Sequence, residues 1–197
     1  CSRAGSSREL QISGTDVTTD ATWTDINIAN DTQHCVMWGA RSDGTAAGTW
    51  FAVGEQDNEQ IYRSTDGTNW STIDLSGLTG HSGGTSNDLK GIASNGAGRW
   101  AFAQAGRLYV STDDGATFTV STPWGSDTPG VQQGITFTNN TWVIAYTRSS
   151  KVRVRTCSDS DLTDWSDEFY PAGDITGGEE MANPDTQEKR VNICSAN

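Results

Sequence analysis

The sequence predicts an all-β fold: a ring of four repeated units, each a four-stranded antiparallel sheet, with one unit split between the two chain ends. Three observations carry this. Aromatic residues return at Trp23, Trp70, Phe118 and Trp165, spaced 47, 48 and 47 residues apart, and a period in that range means one supersecondary unit copied in series. Each complete period holds four short runs rich in β-branched and aromatic residues and bounded by Gly, Asn, Asp and Ser, while no window carries helical apolar spacing over more than two turns. The pieces left over at the two ends complement each other. Four-stranded units of about 40–50 residues, repeated radially, are the blades of a β-propeller.

Within a unit the first strand is a short apolar run: Cys35-Val36-Met37-Trp38, Gly91-Ile92-Ala93 or Gly134-Ile135-Thr136-Phe137. The second opens on tryptophan, at Trp50, Trp100 and Trp142, and the third is Gln60 to Arg63, Arg107 to Val110 or Lys151 to Arg155. A polar turn then leads to the periodic aromatic and the fourth strand. At the C-terminus Lys189 to Cys194 aligns with a second strand; at the N-terminus Glu9 to Ser13 and Trp23 to Ile26 align with a third and a fourth. The predicted blades are therefore about 26–73, 74–121, 122–170, and 171–197 plus 1–25, all in one domain. Pairing the two ends in one sheet closes the ring. The alternative is an exchange of terminal strands between copies, which makes a homo-oligomer.

The polar turn has its own physics. Asp and Ser side chains accept hydrogen bonds from backbone N–H groups a few residues on, Gly supplies positive φ, and the closing aromatic packs back onto the sheet. Ser111-Thr112-Asp113-Asp114-Gly115-Ala116-Thr117-Phe118 resembles the Asp-box, or BNR repeat, with Ser111, Asp113, Gly115 and Phe118 at its motif positions. Ser64, Asp66, Gly67 and Trp70 look like a variant one residue shorter, and Cys157 to Trp165 keeps Asp159 and Trp165 without a glycine. In Asp-box families this turn is a structural staple on the blade periphery, so the resemblance implies a fold and not an active site. Blades of this Gly-, Thr- and Trp-rich kind are similar to those of bacteriophage tail and fibre proteins and of secreted bacterial proteins.

The net charge of −12 opposes binding to nucleic acid or an anionic membrane, since both reward Lys and Arg. No run of 18 apolar residues exists, so no membrane span is expected. The four cysteines fit no C-x-x-C metal spacing. If the ends share one blade, Cys1 and Cys194 flank one hairpin gap and come within disulfide reach, while Cys35 and Cys157 fall on different blades.

Asp-boxes invite a sialidase reading, but the chain lacks the Arg-Ile-Pro-like context of that family and has room for four blades, not six. Asp31, Asp88, Asp127 and the pair Glu179-Glu180 lie in linkers preceding first strands, where they could converge on a central channel as a carboxylate pair for glycoside hydrolysis or as oxygen ligands for calcium or magnesium. Acids in polar linkers are more simply solvated, so no cofactor and no metal is assigned. His34 and His81 occupy equivalent linkers without a third ligand. Trp38 and Trp124 fall outside the repeat pattern, and each is a candidate platform for a sugar or a protein partner, with covering a blade edge the equal alternative for Trp124. The expectation is a non-enzymatic recognition or structural module, extracellular or on a virion, of the phage tail or fibre kind, binding a surface glycan or other virion or cell-surface proteins. A carbohydrate-active enzyme fragment or a lectin is the alternative.

Overall fold

The computed structural model describes residues 10–12, 24–26, 32–45, 48–55, 60–81, 89–104, 106–124, 133–148, 151–158 and 162–169. They are all-β, with no helix among them, and hence none long and apolar enough to cross a membrane. Strands β1 (Leu10–Ile12) and β2 (Thr24–Ile26) pair antiparallel. A first sheet follows in simple meander order from β3 (Thr32–Gly39), β4 (Thr49–Glu55), β5 (Gln60–Ser64) and β6 (Trp70–Asp74). A second repeats the pattern with β7 (Leu89–Ser94), β8 (Trp100–Gln104), β9 (Arg107–Ser111) and β10 (Thr119–Ser121). The third has β11 (Gln133–Thr138), β12 (Thr141–Arg148) and β13 (Lys151–Cys157), and among the described residues beyond it Phe169 bridges Val154 in antiparallel fashion.

The register shows why the sequence repeats. Trp50 pairs with Ser64, Trp100 with Ser111, and Trp142 with Cys157, so each second-strand tryptophan sits opposite the first residue of a polar turn. The first strands of sheets one and two share an irregularity, between Gln33 and Cys35 and between Leu89 and Gly91. His34 is therefore the extra residue of a β-bulge within β3, not a linker residue as its sequence context suggests. A bulge bends a strand and increases its twist.

The sheets stack in chain order: β7 touches β3 on one side and β11 on the other. Side-chain alternation divides the second sheet's two faces. Trp100, Phe102, Tyr109 and Phe118 meet Phe51, Val53 and Ile61 of the first sheet. Ala93, Ala101, Ala103, Leu108 and Val110 meet Trp142, Ile144 and Tyr146 of the third. One interface thus sets large aromatics of the second sheet against Phe51 and two aliphatics of the first, and the other seats large aromatics on alanines, which keeps both close-packed. Phe51 is the hub of the first, with its ring set edge-on to Trp100 at 4.7 Å, Phe102 at 5.1 Å and Phe118 at 6.1 Å. Each such fully buried side chain contributes roughly 1.5–3 kcal/mol from area alone.

Candidate functional site

Ser64 and Ser111 build the two polar turns in the same way. The Ser64 hydroxyl donates to Asp66 Oδ1 at 3.0 Å and accepts from the Gly67 amide at 2.9 Å. The Ser111 hydroxyl donates to Asp113 Oδ1 at 2.8 Å and accepts from the Gly115 amide at 2.9 Å. Each aspartate then collects two amides on Oδ1, from Thr68 and Asn69 in one turn and from Ala116 and Thr117 in the other. Gly67 and Gly115 lie at φ 77° and 78°, and Trp70 donates its indole N–H to the Gly67 carbonyl at 2.9 Å.

The third turn keeps the closing end of this geometry with other residues. Trp165 donates its indole N–H to the Leu162 carbonyl at 2.9 Å, and Leu162 has φ 56°, so a buried leucine stands where the other turns have glycine. Cys157, at the serine position, is buried in the core. The left-handed conformation costs a leucine about 1–2 kcal/mol, less than burial of its side chain returns. Asp159 lies outside the described residues.

Hydrogen bonds from the Asn69 side chain and backbone hold the Asp66 carboxyl well below its usual range. For Asp113, burial opposes ionisation, but hydrogen bonds from Thr117, Ser111 and Ala116 outweigh it and the pKa is lowered. A carboxylate depressed by folding stabilises the fold fully above its unfolded value, near 3.8, and loses that contribution as pH falls below it. Asp66→Asn is therefore expected to lower the melting temperature at neutral pH, with the gap to the parent closing as pH drops from about 4 to about 2. Thermal melts of both proteins across that range check it, and a constant gap contradicts it.

Asp114, the second acid of the Ser111 turn, does a different job. It sits at φ 61° and accepts from the Ser42 amide at 2.8 Å and the Ser42 hydroxyl at 2.6 Å. The Gly98 amide donates to the Ala40 carbonyl alongside, at 3.1 Å. The turn end of the second sheet is thereby latched to the β3–β4 hairpin of the first.

Two further polar networks join the sheets' strands. In the second sheet Tyr109 donates to Gln104 Oε1 at 2.8 Å and contacts His81 Nδ1 at 2.9 Å, with Arg107 on the same Gln104 oxygen at 3.3 Å. In the third, Tyr146 donates to Glu168 Oε2 at 2.7 Å, Arg155 Nε donates to the Tyr146 oxygen at 3.2 Å, and Arg153 Nε lies 3.3 Å from Glu168 Oε1. Residues paired across the strands share a face, and pairing of Tyr146 with Arg153 and of Ile144 with Arg155 turns both arginines toward the second sheet. Sequence reading placed these arginines correctly on a strand but missed the network. The sequence signal was the alternation Val152-Arg153-Val154-Arg155 with Glu168 beyond it.

Burial, followed by the hydrogen bond to Glu168, raises the Tyr146 pKa, with Arg155 partly offsetting this. Tyr146 is thus a neutral phenol over the working pH range, and folding stability falls as pH rises past its unfolded value of 10.0. The absorbance at 295 nm lost in Tyr146→Phe is expected to titrate with a midpoint above the ordinary tyrosine value of about 10 in the native protein, and a midpoint at or below that value overturns the assignment.

The two tryptophan candidates separate. Trp38 is 46 % exposed, and its indole lies across Gly48, where a Cβ would overlap Trp38 Nε1. Trp124 is only 3 % exposed. Its N–H donates to the Gly106 carbonyl at 2.8 Å and its ring sits edge-on to Tyr146 at 5.4 Å. Trp124 therefore packs between sheets two and three, the covering alternative of the two roles its position allows, and not as an exposed platform. Asp31, Asp88, Asp127, Glu179, Glu180, Cys1 and Cys194 lie outside the described residues, and Cys35 and Cys157 fall on different sheets as expected. Among the described residues no group of three His, Cys, Asp or Glu is arranged to hold a metal ion. No protein-family model matches the chain, and no curated protein matches it.

Proposed function

We propose that this chain is a four-bladed β-propeller of the Asp-box type, with a fourth blade drawn from both chain ends, and that it serves as a non-catalytic recognition module on the outside of a virion or cell. The architecture is supported by three consecutively stacked sheets with the same register and by two turns that keep one hydrogen-bond plan. The observation that carries the function is Trp38. An indole nearly half exposed beside Gly48 at the end of a sheet strand offers apolar ring surface that suits a sugar ring or an aromatic-rich protein surface. The net charge of −12 favours neutral or cationic partners.

Binding to a panel of immobilised surface glycans and to whole bacterial cells tests this, with Trp38→Ala beside the parent. Loss of about tenfold or more in affinity, equal to about 1.4 kcal/mol, with an unchanged melting temperature is the expected result. Parent-like binding by Trp38→Ala, or hydrolysis of a glycan by the parent, overturns it. The reading as a carbohydrate-active enzyme rests on the linker acids Asp31, Asp88, Asp127, Glu179 and Glu180, which lie outside the described residues; among the described residues a tyrosine, a carboxylate and two arginines form a network at Tyr146, Glu168, Arg153 and Arg155. Within that network the raised pKa of Tyr146 disfavours a nucleophile, and the arginines neutralise the carboxylate that would activate it.

A further inference from the structure

Met37 packs into the interface with the second sheet, so its neighbour Trp38 stands on the opposite face of β3. The register pairs Trp38 with Trp50 and ends one step on, at Gly39 and Thr49, and the chain between them is the β3–β4 hairpin connection. A Cβ on Gly48 would meet Nε1, Cε2 and Cζ2 of Trp38. The indole therefore sits at the foot of that connection, leaning along the strand toward it and not back over the sheet. It is 46 % exposed there.

The same connection carries a fixed polar group. Arg41 Nε lies 3.4 Å from Asp43 Oδ2, and the two side chains are 31 % and 47 % exposed, so both reach solvent. Asp43 Oδ1 accepts from the Thr45 hydroxyl at 2.7 Å and the Thr45 amide at 2.9 Å, and these bonds lower the Asp43 pKa and keep the carboxylate ionised. A guanidinium has more donors, and a carboxylate more acceptor sites, than these contacts use. Between the pair, Ser42 is held through its amide and hydroxyl by Asp114 of the second sheet. The loop is thus already ordered, and a ligand is spared most of the cost of ordering it.

We infer that Trp38 and the Arg41–Asp43 pair are the two halves of one carbohydrate site, and that its ligand is a neutral pyranose with two adjacent free hydroxyls. The inference rests on the recognition reading of Trp38 and adds to it the polar residues and the class of ligand. A pyranose has a face of C–H groups and a rim of hydroxyls. The indole meets the first. A donor and an acceptor held side by side match the second, since each hydroxyl both donates and accepts, and a guanidinium beside a carboxylate offers that match through charge-assisted bonds. The ion pair is itself neutral and the chain carries −12, so uronic and sialic acids are repelled. An apolar protein surface laid on the indole would leave the pair unmatched, at a desolvation cost.

The test titrates the full-length chain with the methyl glycosides of galactose, glucose, mannose, fucose and glucuronic acid, read by tryptophan fluorescence and saturation-transfer NMR. The parent is expected to bind at least one neutral glycoside, with transfer strongest to its ring C–H protons, and to bind the glucuronide more weakly. Arg41→Met and Asp43→Asn are each expected to weaken that binding about tenfold or more, the scale of a hydrogen bond to a charged group, at the parental melting temperature. Parent-like sugar binding by both polar variants, with loss in Trp38→Ala, overturns the inference and leaves the recognition reading standing; parent-like binding by Trp38→Ala overturns both. A preference for the glucuronide overturns the inference. So does cell binding that none of the neutral glycosides competes, which would give the indole to a protein partner. If Asp43→Asn does not fold, Arg41→Met decides alone, since that side chain pairs only with Asp43 among the described residues.

Discussion

Gly115→Val is expected to destabilise the protein by roughly 3–5 kcal/mol, the sum of left-handed backbone strain and overpacking. Gly115 lies at φ 78°, and a Cβ built there would come within 2.7 Å of Phe51 Cε2 and closer still to Cζ. Phe51 belongs to the first sheet and is packed against three other rings, so it has no room to yield. Gly106→Ala is the internal control. Its φ of 76° is almost the same, but nothing lies within 4 Å of the added carbon, and it is expected to cost only about 1 kcal/mol. At about 2–4 °C per kcal/mol for a chain of this size, thermal melts separate the two variants easily. Equal losses would show that the glycine serves its own turn alone and not the interface.

Trp124→Ala is expected to cost about 3–5 kcal/mol, the range for emptying a packed aromatic site. The cavity would open between sheets two and three, beside Tyr146 and Leu162, and the Gly106 carbonyl would lose its donor. Trp124→Phe keeps most of the volume and deletes that hydrogen bond, for about 1 kcal/mol. Denaturant unfolding of the three proteins gives the ladder directly. Near-parental stability of Trp124→Ala would return this residue to the list of ligand platforms.

The repeat made the strands legible because its signals are local. Tryptophan opens the second strand, Gly, Asn and Asp close the hairpins, and alternation marks the faces, so the order and pairing of strands in three sheets could be read from one sequence. The turns were legible for the same reason, since Ser111, Asp113 and Gly115 bond within a few residues of one another. What depended on contacts distant in sequence was not legible. Nothing in the sequence near Asp114 announces Ser42, 72 residues away, and the indole of Trp124 finds Gly106 across a hairpin. A tryptophan in a polar linker carries the same composition signal whether it is buried or displayed. Leu162 shows the converse: a turn that looks degraded by composition keeps its conformation because the leucine side chain is paid in burial.

The three turns also differ in length without differing in form. From the residue opposite the tryptophan to the closing aromatic they span Ser64 to Trp70, Ser111 to Phe118 and Cys157 to Trp165, one residue longer each time. The positive-φ residue nevertheless stays three places before the aromatic in every case. The loop is thus ruled from its far end, and added residues are absorbed ahead of Gly67, Gly115 and Leu162. For anyone grafting an epitope onto this scaffold, the permissive insertion point is between Asp66 and Gly67, with Ser64, Asp66 and the residues from Gly67 to Trp70 left untouched because their hydrogen bonds hold the turn.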